Sequence, residues 1–289
     1  MPTSRGNVLT LGDVRITGLS DGSVVFDPRI LFPDTPIEAW EPFYDRFPEC
    51  FSGQKFRTNV GSFLFQSGDR TVMADTGFGP HGEMLGNPAP AGLLGDLSAN
   101  GFSVFDIDAV FLTHLHGDHV GWNLNSIGGE WRPRFPNARY LVHAADWAWF
   151  SQDENRIGER GRTADRSFLP LEGLGVLDLL DGETELAPGV TAIPMPGHTP
   201  GHMGLLIASR NERAVLIGDL AGSPMQITET EWRYTPDWDP AMGRDTRKRV
   251  LDRAERDEAV VMGAHLARPG WGVLIRWEGR RYWQALKQE

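Results

Sequence analysis

The stretch that decides the reading is THLHGDHVG, Thr113 to Gly121, which closes the apolar run FDIDAVFL with three histidines and an aspartate in six residues. His114 and His116 are two apart, so in an extended segment both rings leave the same face and can converge on one ion. Asp118 and His119 follow at once. If the chain turns into a helix there, they point in a new direction, and one short motif serves two neighbouring ions. Neutral imidazole and carboxylate suit zinc, although iron, manganese and cobalt use the same ligand types.

Three later segments place the same residue types at the ends of apolar runs: GHTPGH at 197–202, IGDLAG at 217–222 and MGAHLA at 262–267. A solvated His-rich turn does not explain four such segments. Cys50 is the only cysteine, so an internal disulfide and a thiolate cluster are both excluded, and any metal must use His and Asp.

Working outward, VRITGLSDGSVVF (14–26) reads as two strands around Asp21-Gly22, and SFLFQSGDRTVMADTG (62–77) as two more around Gly68-Asp69. Val110–Thr113, ARYLVH, VTAIP, HMGLLIAS with AVLIGD, and AVVMGAH as the last major one complete the expected strands. Asp239 as N-cap with Pro240 after it predicts a helix over 240–258, and Asp146–Phe150 a second. Residues 153–166, rich in Arg, Glu and Gly, read as a solvated loop. Phe32, Trp40, Phe43, Tyr44, Phe47, Phe51 and Phe56 crowd the segment 30–56, and Trp232, Tyr234 and Trp238 the segment 228–239. Both fit aromatics packed under loops or a cap over a substrate pocket.

Hydrophobic residues at 40% and charged residues at 23% describe an ordinary folded chain, and 289 residues fit one large domain, 1–289, with an aromatic extension at about 30–57. The formal charge of −11 and the lack of a Lys/Arg cluster disfavour nucleic acid as partner. Neither a secretory leader nor an apolar run of membrane-spanning length is visible in the sequence, so no membrane partner and a cytoplasmic address are the expectation. An exposed aromatic cap would equally serve a homodimer surface.

HLHGDH, PGHTPGH, the Asp of IGDLAG and the His of MGAH resemble, in order and spacing, the metallo-β-lactamase superfamily over roughly residues 60 to 270, and the DTG at 75–77 is similar to its early strand-end signature. The resemblance implies an α/β (α+β) fold, a four-layer αββα sandwich of two mixed sheets with helices on the outer faces. It implies one ion on His114, His116 and His198, a second on Asp118, His119 and His265, and Asp219 between them, with a bridging hydroxide as nucleophile and two zinc ions as cofactors. Asp118 could also shuttle a proton to the leaving group, the one catalytic side-chain role assigned. For His202 the parallel suggests support of the loop; His143 reads as structural, His81 as exposed and Cys50 as packed.

Within that superfamily the departures sort the branches. The best-known zinc β-lactamases use a Cys in the second site, and here Asp219 stands instead. Glyoxalase II adds a helical C-terminal region, flavodiiron proteins a Glu and a flavin domain, and RNA-processing relatives basic surfaces. The expectation is a dinuclear hydrolase of a lactone, carboxylic ester or phosphotriester with apolar groups, in an aromatic-lined pocket, most like the quorum-quenching lactonase and methyl parathion hydrolase-like branch. The alternatives are a β-lactam hydrolase and a mononuclear iron persulfide dioxygenase. Many acyl-homoserine lactonases carry Tyr three residues after the bridging Asp, where this chain has Gly222; Tyr234 or Tyr44 could supply the missing donor by folding over the site.

Overall fold

Several central strands of this chain are buried on both faces, and the computed structural model, which describes residues 2–84, 87–156 and 158–286, shows why. Two mixed sheets stack face to face. In the first, Thr3–Arg5, Val8–Leu11, Val14–Phe26, Lys55–Ser67 and Arg70–Ala74 run antiparallel, then Ala109–Phe111, Arg139–His143 and Leu177–Leu180 continue in parallel. In the second, Thr184–Ala187 through Glu212–Leu216 form a meander. The helix Pro240–Arg256 then crosses over to Val260–Met262, the one parallel step, before the final pair Trp271–Trp277 and Arg280–Ala285.

Alternation then sorts each strand between layers. Phe63, Phe65, Val72 and Ala74 face Leu205, Ile207, Ala214 and Leu216 across the middle of the sandwich. Leu64 and Met73 point the other way, to the helices Leu93–Ala99 and Ala144–Phe150. Val215 and Ile217 meet Val250, Leu251 and Ala254 of the helix Pro240–Arg256. Three apolar interfaces thus bind four layers, the expected αββα arrangement. Among the described residues no helix is long and apolar enough to cross a membrane.

The Gly68-Asp69 hairpin, the pairing of HMGLLIAS with AVLIGD and both expected helices are present. Asp239 caps as read, its Oδ1 accepting from the N–H groups of Ala241 and Met242. Four readings are corrected. Val14–Phe26 is one strand of 13 residues, not a hairpin. The Asp-Gly pair is spent on a bulge whose Gly22 has φ 130°, a conformation a side chain resists. AVVMGAH is not the last major strand, because Trp271–Trp277 and Arg280–Ala285 follow, joined by a tight turn with positive φ at Glu278 and Gly279. Within 153–166, where Ile157 lies outside the described residues, the helix Glu159–Ser167 begins; it packs Ala164 inward, and Phe168 just after it does the same.

The fourth correction concerns the aromatic segment. Phe32, Trp40, Phe43, Phe47, Phe51 and Phe56 are buried in one core cluster, with Trp40 and Trp232 ring centroids 4.7 Å apart, so they are a layer of the core and not a pocket lining. Tyr44 packs edge-on against Phe51 at 4.7 Å.

Asp21, freed from turn duty, anchors the loops above the first sheet. Its carboxylate is fully buried and accepts from the N–H groups of Phe78, Gly79 and Leu93 and from Trp122 Nε1, at 2.8, 3.1, 2.8 and 2.9 Å. Asp21→Ala would leave four buried donors unpaired. We expect it to cost about 3 kcal/mol or more of stability in urea unfolding; a loss below about 1 kcal/mol would show that water replaces the carboxylate.

Candidate metal centre

Five strands end at one edge of the sandwich, and each hands over a polar residue: Ala74 to Asp75, Phe111 to Thr113 and His114, Pro194 to His198, Leu216 to Asp219, and Met262 to His265. The segment after Phe111 stays extended through His116 and then turns into the short helix Gly117–Val120, which carries Asp118 and His119 off in a second direction. All seven residues singled out from the sequence come together here.

They fall into overlapping groups. Ligand-capable atoms of His114, His116 and His198 lie within 4.8 Å of one another, as do those of Asp118, His119 and His265, and those of His114, His119 and Asp219. His116 Nδ1 is 3.0 Å from both His114 Nε2 and His198 Nε2. Asp219 touches both sides: Oδ2 is 3.4 Å from His198 Nε2 and 3.1 Å from His265 Nε2, and Oδ1 is 3.2 Å from His119 Nε2. Asp118 Oδ2 lies 3.5 Å from His265 Nε2 and 3.7 Å from His119 Nε2.

The outward nitrogens of four of the five histidines are committed. His119 Nδ1 donates to Asp75 at 2.9 Å, His198 Nδ1 to Asp237 at 2.9 Å and His265 Nδ1 to the Asn59 carbonyl at 2.9 Å. His114 Nδ1 reaches the Thr113 hydroxyl at 3.0 Å, which passes its own proton to Asp75. With Nδ1 acting as donor, each of these four rings in its neutral form turns an Nε2 lone pair inward. His116 is reversed and presents Nδ1.

Burial pushes His114 and His116 well below the usual histidine range and His198 down to about 4, so these three are neutral. On the other side, burial opposes protonation of His119 and His265, but Asp219 and Asp118 outweigh it and raise His119 well above the usual range and His265 to about 9. The site therefore gathers carboxylates on one side and neutral imidazole nitrogens, 3.0 Å apart, on the other, the donor types that a divalent cation takes. Zinc–nitrogen bonds of about 2.0–2.1 Å in tetrahedral array hold donor atoms about 3.3 Å apart. Two orphaned atoms complete the case: His119 Nε2 and Asp219 Oδ1 are buried without a hydrogen-bond partner. The donor set fits divalent cations.

The other histidines separate cleanly. His202 donates through Nδ1 to the Met195 carbonyl and accepts at Nε2 from the Asp219 N–H, so it fixes the backbone that presents Asp219. His143 caps the helix Ala144–Phe150 by accepting from the Ala145 N–H. His81 is exposed and Cys50 buried. Asp146, Asp237 and Asn59 were not singled out from the sequence. Asp146, fully buried, accepts from Thr199 Oγ1 and the Gly201 N–H and so shapes the loop that carries His198.

A cleft of about 390 Å³ opens onto the centre, with Asp118, Asp219 and His265 in its floor. Val24, Leu31, Val60, Phe78, Met84 and Phe150 form its apolar walls, and Arg160 and Arg166 of the helix Glu159–Ser167 stand at one side. Tyr234 lines it too, whereas Tyr44 does not.

Among known proteins, the family model described as "Metallo-beta-lactamase superfamily" matches residues 57–265. An N-acyl homoserine lactonase from Bacillus sp is 26% identical over 165 residues, 57% of this chain and 58% of that protein, so the chain spans under two thirds of that relative's length. Two solved structures share the fold over 99% of both chains: AidC, a dizinc quorum-quenching lactonase with a bound product, at TM-score 0.81 and 21% identity, and the hydrolase AbOPH at 0.83 and 23%. With the family model covering more than half of its length and every motif of the resemblance at the sandwich edge, this chain belongs to the metallo-β-lactamase superfamily.

Proposed function

We propose that this chain is a dinuclear metal-dependent hydrolase that opens a lactone or cleaves a carboxylic ester bearing apolar groups. The observation that carries it is Asp219, whose two oxygens face both histidine groups at the floor of an apolar cleft. In this reading His114, His116 and His198 hold one cation, Asp118, His119 and His265 the other, and Asp219 lies between. Zinc is the metal proposed, on the donor set and on the dizinc character of AidC. A lactone is the first substrate class because the curated relative with the 165-residue match is named a lactonase.

When bound, a pair of divalent cations lowers the pKa of a water and polarises the ester carbonyl. The chain's own residues do the rest. Asp75, Asp237 and Asn59 fix ring orientation, so no side chain reorganises as charge develops. Asp118, 23% exposed in its side chain against 3% for Asp219, is in this reading the group that carries a proton to the leaving oxygen. Val24, Leu31, Val60 and Met84 exclude water and take the apolar part of the substrate.

Chelation of the purified protein should abolish lactone and aryl-ester turnover, with zinc restoring it, while β-lactam and phosphotriester probes measure the breadth of the site. Hydrolysis that survives complete metal removal would end this reading, and one iron per chain with oxygen uptake would move the chain to the oxygenases. Asp219→Ala should drop metal content from about two ions to one or fewer by elemental analysis, and a mutant with full metal and full rate would refute the bridging role. Asp75→Asn should weaken metal affinity about tenfold to a hundredfold in chelator competition, since an amide cannot accept from both Thr113 and His119; unchanged affinity would show that Asp75 is not needed to orient them.

A further inference from the structure

Beside the cleft lies a chamber of about 360 Å³, and the two share Phe78, Arg166 and Ser167 in their linings, so they adjoin. The other polar residues of the chamber are His81, Asn125, Ser126 and Arg134. No Asp or Glu lines it, although acidic residues outnumber basic ones by 39 to 28 across the chain. One wall is the hairpin of Leu124–Ile127 and Glu130–Pro133, in which Leu124 pairs with Pro133. Immediately after that pair the Arg134 N–H donates to the Asn123 carbonyl at 2.8 Å. The Tyr140 hydroxyl closes the base of the hairpin by donating to the same carbonyl and accepting from the Phe135 N–H. The backbone of Arg134 is therefore fixed.

Its charge has no counter-ion. Among the described residues the Arg134 guanidinium is in no ion pair, its Nε is buried without a hydrogen-bond partner, and it stands over the Trp122 ring at 5.4 Å. Asp21, the carboxylate that the Trp122 indole N–H reaches, is already committed to four donors. Arg139, Arg276 and Arg281, by contrast, each hold a carboxylate. Burial pulls Arg134 below the ordinary arginine range. A partly desolvated cation without a counter-charge is costly, and an anion entering beside it recovers that cost. Asn125 Oδ1, in the same chamber, is also buried without a partner, and rotation of that amide turns its NH2 donors the same way.

We infer that this chamber is an anion subsite in which Arg134 holds a carboxylate or phosphate group at the far end of an ester or lactone whose carbonyl lies at the metal centre. The inference rests on the hydrolase reading above and narrows it to substrates with an acidic end. A guanidinium presents paired N–H donors that match the planar oxygens of such a group. The apolar walls of the cleft, with Phe78 common to both cavities, take the stretch of substrate between the two ends. No bond changes in the chamber, so it sets which substrate is held and not how fast the bond breaks.

The test uses zinc-loaded protein with nitrophenyl monoesters of succinic, adipic and suberic acids, each beside the neutral ester of equal chain length, nitrophenyl butyrate, hexanoate or octanoate. For the acid-ended ester that the parent prefers, Arg134→Gln should raise KM relative to the neutral counterpart about tenfold, with the kcat ratio within about twofold. Arg134→Lys should recover part of that loss. Ser126→Asp, at an exposed position of the hairpin, adds a carboxylate to the chamber and should raise the same KM ratio about threefold or more; it decides alone if Arg134→Gln does not fold. A KM ratio moved less than about twofold by the variants overturns the proposal. Inorganic phosphate that binds the parent about tenfold tighter than Arg134→Gln, with the KM ratio unmoved, would assign the chamber to a free anion and overturn its role toward substrate. If the parent cleaves no ester, the hydrolase reading fails, and calorimetry with adipate decides the chamber: a Kd about fivefold weaker in Arg134→Gln keeps it as an anion site, whereas an equal Kd, or no binding to the parent, removes it.

Discussion

Asp219 and Asp75 are carboxylates only 2% and 3% exposed, set 3.1 to 3.4 Å and 2.9 Å from imidazole nitrogens. Buried charge of that kind must be compensated, because its desolvation is costly in an apolar interior. Most of the architecture at the sandwich edge follows from supplying that compensation twice over. Asp75 is compensated by the chain itself, through Thr113 and His119. Asp219 is compensated only in part, since one of its oxygens and the facing His119 Nε2 find no hydrogen-bond partner. The difference separates a carboxylate that orients from one that is available to a cation.

Holding such a site requires that the two sheets not slide. The Met203 N–H donates to the Thr113 carbonyl and the Gly61 N–H to the Ala264 carbonyl, both across the sandwich and both next to residues of the centre. His265 adds a third tie through the Asn59 carbonyl. Backbone hydrogen bonds of this kind fix distance to a few tenths of an ångström, whereas the apolar interface behind them tolerates repacking. The site is therefore placed by the sheets and locked by its own surroundings.

What the sequence made legible divides along chemical lines. Metal ligation demands His or Asp with an inward lone pair at set spacing, so HLHGDH, GHTPGH, IGDLAG and MGAH pointed to seven residues that the fold brings to one edge. Orientation of those ligands is less demanding: a carboxylate on any neighbouring element will serve for His198, and a backbone carbonyl does for His265. Asp237 and Asn59 accordingly sat unnoticed, one in an aromatic stretch and one within a strand. Asp21-Gly22 misled because a hairpin turn and a bulge both exploit a residue free to take positive φ. The segment 153–166 misled because its charges mask the start of a helix that packs Ala164 inward. The aromatic residues of 30–56 were visible as a group, but composition cannot say whether rings face a cleft or one another.

That last ambiguity has a structural resolution that bears on the site. The aromatic layer faces inward, yet it governs the cleft indirectly, since Phe32 stacks on Tyr234 and Trp40 packs on Trp232. Beneath the same segment, the buried guanidinium of Arg247 donates to the carbonyls of Leu220 and Thr230 and to Asp237, joining the loop after Asp219 to the one that carries Tyr234. A planar group with five donors is suited to that task, where a lysine would satisfy one partner at a time. Two segments that line or border the cleft are thus tied together through one buried cation, while Arg160 and Arg166 reach the cleft from the short helix Glu159–Ser167.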